Sequence, residues 1–355
     1  MQLKNQINAE AQRTRRNAEK EFGLVGTRFG RRVLSTLRVF AFSASLRLSY
    51  LALLFAFVNS ASAQSSAPAS LAYVLQADSL AKSKAAAVAK LAASGRDWIV
   101  LDASFSSDEP WTAEDLAAIR AARPGRKVIA YLSIGEAEDY RAYWNPAWDA
   151  NHDGKPDAGA PAFLLAQNPE WKGNYRVKYW QVSWQNIIFA DVDSIMAAGF
   201  DGVYLDIVDG FETFEQVGNN FIDDRLNSET GQSYRRDMVD WVKAVAVRAR
   251  ATNSAALVIP QNGVQLLVNP DFVSAIDAVG VEDLFTNGDK LQKAADTKYV
   301  LDFLSPLAAA HKPVLDIEYA KRKQRQAFIR VAAAQNGFVW LVTDRQLKTL
   351  GASGK

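Results

Sequence analysis

A chain of 355 residues with 49% apolar, 11% aromatic and 23% charged residues has the make-up of one large folded domain, which excludes a disordered or fibrous protein. The chain has no cysteine and only two histidines, His152 and His311, far apart in sequence. This rules out disulfides, thiolate metal sites and lipidated cysteines, and argues against a zinc site or a Ser-His triad. The net charge of +2 misleads, because residues 1–63 hold 10 of the 41 Lys and Arg and 3 of the 39 Asp and Glu. Without them 31 basic residues face 36 acidic ones, a net charge near −5. No basic patch remains to suggest nucleic acid, and a cationic partner is favoured.

In chain order, a basic stretch through Arg47 leads into the apolar run Leu48 to Val58 and then Asn59-Ser60-Ala61-Ser62-Ala63-Gln64. That order predicts a secretory signal peptide over residues 1–63 with an extended basic region, cleaved after Ala61-Ser62-Ala63. The apolar run is too short to span a bilayer of about 30 Å comfortably, and an uncleaved anchor is the alternative reading. A secreted or periplasmic protein with no stable membrane association after cleavage is expected. Residues 64–70, rich in Ser, Ala and Pro, read as a flexible start, and residues 71–355 as a single domain.

Eight strand candidates follow: Trp98 to Asp102, Val128 to Ser133, Val177 to Gln181, Gly202 to Asp206, Leu257 to Gln261, Ala278 to Glu282, Val314 to Ile317 and Phe338 to Thr343. Helical patterns separate them. Thr112-Ala113-Glu114-Asp115 opens one as a capping box. Tyr234, Met238, Trp241, Val242 and Val245 share one face of another, and Lys321 to Gln335 forms the last, burying Phe328, Val331 and Ala332 and ending at Asn336-Gly337. Eight strands alternating with helices over roughly 270 residues predict an α/β fold of the (β/α)8 TIM-barrel type. An open doubly wound sheet is the competitor, but no Gly-x-Gly-x-x-Gly follows any strand.

In a barrel all strand C-termini meet at one mouth. Here they carry mostly acids: Asp102, Glu136, Glu138, Asp206, Asp209, Glu282, Asp283, Asp316, Glu318 and Asp344. Asp206 and Glu282, on the fourth and sixth strands, form a candidate pair for cleaving a glycosidic bond. A carboxyl separation of about 5–5.5 Å would suit a retaining reaction and roughly 6.5–9.5 Å an inverting one. Asp102, Glu136, Glu138, Asp209, Gln261, Asn262, Asp283 and Glu318 are candidate substrate contacts around the pair. Trp144, Trp148, Trp171, Trp180 and Trp184, interleaved with Tyr140, Tyr143, Tyr175 and Tyr179, suit either a wall for sugar rings or an ordinary core, and Tyr179 and Trp180 join the candidate contacts.

Asp149, Asn151, Asp153 and Asp157 stand at positions 1, 3, 5 and 9 of a segment resembling a calcium loop, with Gly154 at 6. Ala160 at position 12 lacks the bidentate acid, so a weak structural calcium site and a polar Asx-rich turn remain open alternatives.

Four segments carry a family resemblance: Val128 to Glu138, Trp171 to Trp180, Gly199 to Asp206, and Val281-Glu282-Asp283-Leu284-Phe285. Together they resemble the endo-α-1,4-polygalactosaminidase family, glycoside hydrolase family 114, whose members are TIM barrels. The resemblance implies hydrolysis of α-1,4-linked galactosamine or N-acetylgalactosamine polymers with no required cofactor. It implies Asp206 as nucleophile and Glu282 as general acid/base. A cationic amino-sugar polymer suits an acid-lined mouth. A non-catalytic polysaccharide-binding barrel and a glycosidase of different sugar specificity are the alternatives.

Overall fold

The computed structural model describes residues 67–355; the expected signal peptide lies outside the described residues. Eight parallel strands form its centre: β1 Leu71–Val74, β2 Trp98–Leu101, β3 Lys127–Ser133, β4 Gly202–Asp206, β5 Leu257–Pro260, β6 Val279–Glu282, β7 Val314–Glu318 and β8 Val339–Val342. β1 to β5 pair in sequence order and β6 to β8 do the same, and a parallel bridge between Gln261 and Gly280 links the two sets. These short apolar runs are buried on both faces, as parallel strands under helices must be.

Alternate residues divide the core in two. Tyr73, Val100, Ile129, Tyr131, Tyr204, Ile259, Ala278, Ile317 and Leu341 form one buried cluster that draws on all eight strand segments, and this is the barrel interior. Ala72, Ile99, Ala130, Val203, Val258 and Val281 face outward and pack with helix residues such as Leu91, Ile119, Ile188, Met238 and Leu304. Each fully buried aliphatic side chain contributes about 1.5–3 kcal/mol. At Gly280 on β6 an added Cβ would lie 1.8 Å from the Tyr204 hydroxyl, so the missing side chain is what admits that tyrosine.

The helices on the outside are α1 Lys84–Ala93, α2 Ala113–Ala121, α3 Val182–Ala198, α4 Tyr234–Thr252, the short α5 Pro270–Ala275, α6 Ala294–Ala309 and α7 Lys323–Asn336. The capping box at α2 forms as expected, with Thr112 accepting from the Asp115 amide and Asp115 from the Thr112 amide. Where an eighth helix would follow β8, the described chain returns as β9, Ala352–Gly354, antiparallel to β8. Its Ser353 hydroxyl accepts the Leu71 amide at 2.7 Å, tying this end of the chain to β1.

Three expectations need correction. Leu71–Val74 is the first barrel strand, missed because four apolar residues after a Ser/Ala/Pro stretch give little periodicity. Val177 to Gln181 is not a barrel strand: Asn174–Val177 pairs antiparallel with Leu164–Gln167 and Glu136–Glu138 in a small sheet inserted between β3 and α3, and Lys178–Gln181 leads into α3. The period-2 burial of Tyr175 and Val177 is real but belongs to that insertion. The omission and the surplus cancel, so Asp206 and Glu282 still end the fourth and sixth strands. On α7 the buried side carries Ile329, Ala332 and Ala333, while Phe328 and Val331 are exposed.

Candidate active site

Period-2 alternation sets the site. Tyr204 and Gly280 face inward, so Asp206 and Glu282, two residues further along β4 and β6, share that inner face at the mouth. Just after each acid the chain turns through a left-handed residue, Ile207 at φ 57° and Asp283 at φ 50°, and β5 does the same at Asn262, φ 57°. Non-glycine residues seldom adopt this conformation, β-branched isoleucine least of all.

Each acid rests on a tyrosine from the barrel interior. Asp206 accepts the Ile207 amide at 2.8 Å and the Tyr131 hydroxyl at 2.9 Å. Glu282 accepts the Tyr319 hydroxyl, and its own amide donates to Asn262 Oδ1 at 3.2 Å. Burial raises the Asp206 carboxyl above its usual range and Glu138 adds to the rise, while the two donors oppose it. Burial and then the Asp206 charge push Glu282 up to about 7. The two acids therefore sense each other, and Glu282 is the one poised to hold a proton near neutrality.

Around the pair the remaining acids sort into two kinds. Asp209 is raised to about 7 by burial and by Asp206, and Asn262 bonds to it. Glu136, raised to about 6 mainly by burial, accepts amide hydrogens from Asn168 at 2.9 Å and Asn174 at 3.4 Å. These two have no cationic side chain in salt-bridge contact among the described residues. By contrast, Arg141 clamps Asp102 at 2.8 Å and Glu138 at 2.5 Å, and Arg345 grips Asp283 at 2.7 Å while lying 4.2 Å over the Tyr319 ring. Glu138 also takes the Tyr140 hydroxyl at 2.7 Å and stands 3.2 Å from that of Tyr131.

Other candidates lie elsewhere. Gln261 is buried inside the barrel, accepting the Tyr204 hydroxyl. Glu318 sits on the outer face of β7, fully buried, holding the amides of Phe285 at 2.6 Å and Thr286 at 3.3 Å. Tyr179 is buried with its hydroxyl on the Tyr234 carbonyl, and Trp180 packs with Phe214 and Tyr234 while its indole donates to Glu229 at 2.8 Å. Most of the aromatic run is thus core; Trp171 and Tyr140 stand out from it, 55% and 60% exposed. Tyr131, Tyr319, Arg141, Arg345, Asn168 and Asn174 went unread, although inner-face alternation on β3 and β7 points to the first two.

The loop compared with a calcium site turns its oxygens onto itself. Asp149 accepts the amides of Asp153 and Gly154 and the Tyr175 hydroxyl, Asn151 the Asp153 amide, Asp153 the Lys155 amide, and Asp157 the Ala150 amide. These oxygens are engaged by backbone amides and a tyrosine hydroxyl, and among the described residues no group of three or more His, Cys, Asp or Glu side chains suited to a metal is found.

An α/β barrel with an Asp and a Glu on the inner face at its mouth has the paired carboxylates that glycoside hydrolysis uses. The profile of Glycoside-hydrolase family GH114 matches residues 55–354, and the chain belongs to that family. It is 36% identical over 253 residues to an uncharacterized protein of Deinococcus radiodurans, covering 71% of this chain and 74% of the relative. Its fold is similar to that of the glycoside hydrolase domain of PelA from Pseudomonas aeruginosa, with TM-score 0.56, 20% identity and coverage of 80% of this chain and 98% of that one. It is also similar to Aspergillus fumigatus Ega3, solved in complex with galactosamine, with TM-score 0.54, 17% identity and coverage of 79% and 92%. Among the described residues no helix is long and apolar enough to cross a membrane.

Proposed function

We propose that this glycoside hydrolase is exported and cleaves α-1,4-linked polymers of galactosamine, wholly or partly N-acetylated, with retention of configuration. The observation that carries the reading is the unequal treatment of two facing-in acids. Burial raises both carboxyls, but Asp206 accepts two hydrogen bonds that oppose the rise, from the Ile207 amide and the Tyr131 hydroxyl, whereas Glu282 accepts one from Tyr319 and is pushed up to about 7 by burial and by Asp206. Such a split favours one role for each: the acid whose anion is better hydrogen-bonded attacks, and the acid raised to near neutrality donates. Glu282 gives its proton to the leaving glycosidic oxygen as Asp206 attacks the anomeric carbon. Glu282 then takes a proton from water as that water opens the glycosyl ester.

The preference for a cationic sugar rests on Asp209 and Glu136. Both lie close enough to Asp206 to feel its charge; neither is in a salt bridge among the described residues, although the Arg176 charge partly offsets the rise at Glu136. An ammonium group on the substrate neutralises such crowded carboxylates at the least desolvation cost. The Ega3 complex with galactosamine is compatible with this preference.

The test is release of reducing ends from partly deacetylated α-1,4-galactosamine polymer, with the anomer of the first product followed by NMR. Wild type is expected to release the α-anomer, and Asp206→Asn and Glu282→Gln are each expected to lose about 10³-fold or more in kcat while keeping the fold. Full activity in either variant overturns the assignment; a β-anomer first overturns retention.

A further inference from the structure

We propose that Trp171 and Tyr140 form an aromatic subsite that holds a sugar unit of the substrate polymer away from the bond being cut. The inference rests on the polysaccharide reading above and adds to it a second point of grip on the same chain.

The argument begins with the inserted sheet. Glu136–Glu138 pairs antiparallel with Asn174–Val177, placing Glu138 opposite Asn174. The ladder runs one step further, because the Asp139 amide donates to the Gly173 carbonyl at 2.8 Å. Beyond that bond the two segments part, and the residues at the parting are Tyr140 on one side and Trp171 on the other. Gly173, at φ 93°, leaves no room for a side chain, since a Cβ there would lie 2.9 Å from Asp139 Oδ1. The two aromatics therefore stand at the same end of a tightly joined pair of strands.

Both are fastened to the site. Trp171 heads a turn in which its amide donates to the Asn168 carbonyl and its carbonyl accepts the Asn174 amide, each at 3.2 Å. Asn168 and Asn174 are the residues whose side-chain amides hold Glu136. Tyr140 donates its hydroxyl to Glu138, which neighbours the Tyr131 hydroxyl on Asp206. Arg141 covers one face of Tyr140, and among the described residues no ring packs against either aromatic. Scattered exposed apolar residues are ordinary, but these two exposed rings flank one end of the inserted sheet, Tyr140 bonded directly to Glu138 and Trp171 carried on the turn whose Asn168 holds Glu136, so both are tied to acids of the mouth.

The chemistry selects a sugar. An indole face stacks on the C–H face of a pyranose while ring edges stay wet, and an ammonium on that sugar gains from the ring quadrupole. A ring pair remote from the cleaved bond also suits an enzyme that cuts within a chain, because it needs sugars on either side of the reacting one.

The experiment measures binding in the Glu282→Gln background, so that it does not depend on turnover. Isothermal titration is run with partly deacetylated α-1,4-galactosamine polymer and separately with free galactosamine, with and without Trp171→Ala, and Trp171→Phe serves as the conservative variant. The expected result is polymer binding weakened roughly fivefold or more in Trp171→Ala, largely restored in Trp171→Phe, with free galactosamine affinity unchanged. Equal loss for polymer and monosaccharide marks a disturbed Glu136 turn and overturns the inference, as does polymer binding unaffected by either variant or absent altogether. Tryptophan-dependent polymer binding with no hydrolysis by wild type leaves the subsite standing and removes the proposed activity instead.

Discussion

Replacing Tyr319 and Tyr131 one at a time by Phe separates the two acids by their pH behaviour. Tyr319 donates to Glu282 and Tyr131 to Asp206, and both tyrosines are buried, so each bond is shielded from water. A hydrogen bond to a charged group contributes about 1.5–3 kcal/mol, and 1.36 kcal/mol corresponds to one pKa unit. Allowing for relaxation and water entry, loss of either hydroxyl raises the acid it serves by about one unit, because the bond favours the ionised form. With Glu282 as the acid that must be protonated, its pKa sets the basic limb of kcat/KM, which starts from about 7. Tyr319→Phe moves that limb up by about one unit, broadening the profile. With Asp206 as the group that must be ionised, Tyr131→Phe moves the acidic limb up and narrows it. The assay is kcat/KM for polymer cleavage between pH 4 and 9 with each variant. If the two variants move the opposite limbs, the roles are reversed; if neither limb moves, the tyrosines do not tune the acids and the reasoning fails.

Asp316, wholly buried on the outer face of β7 beside Glu318, has its pKa driven well above normal by burial and then by the Glu318 carboxylate. The folded state thus holds a proton that the unfolded chain releases above about pH 4, so stability declines as pH rises from there toward the folded value. Asp316→Asn removes its share of that decline, leaving the share from Glu318, itself raised to about 7, and its Tm relative to wild type is expected to rise between pH 5 and pH 8; a constant difference refutes the account. Asp149→Ala strips acceptors from two amides and the Tyr175 hydroxyl and is expected to cost about 2–3 kcal/mol in denaturant unfolding. Wild-type Tm is expected to stay the same in EDTA and in millimolar calcium, and a calcium-dependent rise restores the metal site.

The apolar runs that end in acids were legible because parallel strands are buried on both faces and deliver their last residue to a common mouth. The placing of Asp206 and Glu282 at the ends of the fourth and sixth strands followed from that pattern, while their expected roles came from the family resemblance. What stayed hidden was which acids are locked in ion pairs. Asp102 and Glu138 carry the same formal charge as Asp209 and Glu136, but Arg141, brought by the turn after the inserted strand, neutralises the first two. Glu318 illustrates the cost of counting strand ends without faces: it is one residue off the inner register and serves the 285–286 backbone instead. The aromatic run divides for a similar reason, since Trp184 and Tyr175 point into packing fixed by long-range contacts while Trp171 sits on a turn.

The left-handed residues after β4, β5 and β6 put the mouth of this barrel at odds with its own durability. Each unfavourable dihedral costs of order 1–3 kcal/mol and persists only because the surrounding structure compels it. A screen for heat-resistant variants should therefore favour glycine at Ile207, where the conformation is free of steric penalty, over Asp283, whose carboxylate is held by Arg345. The same exchange would let Asp206 wander. Thermostability gained there and catalytic precision would pull in opposite directions, so the most robust version of this enzyme is not expected to be its fastest.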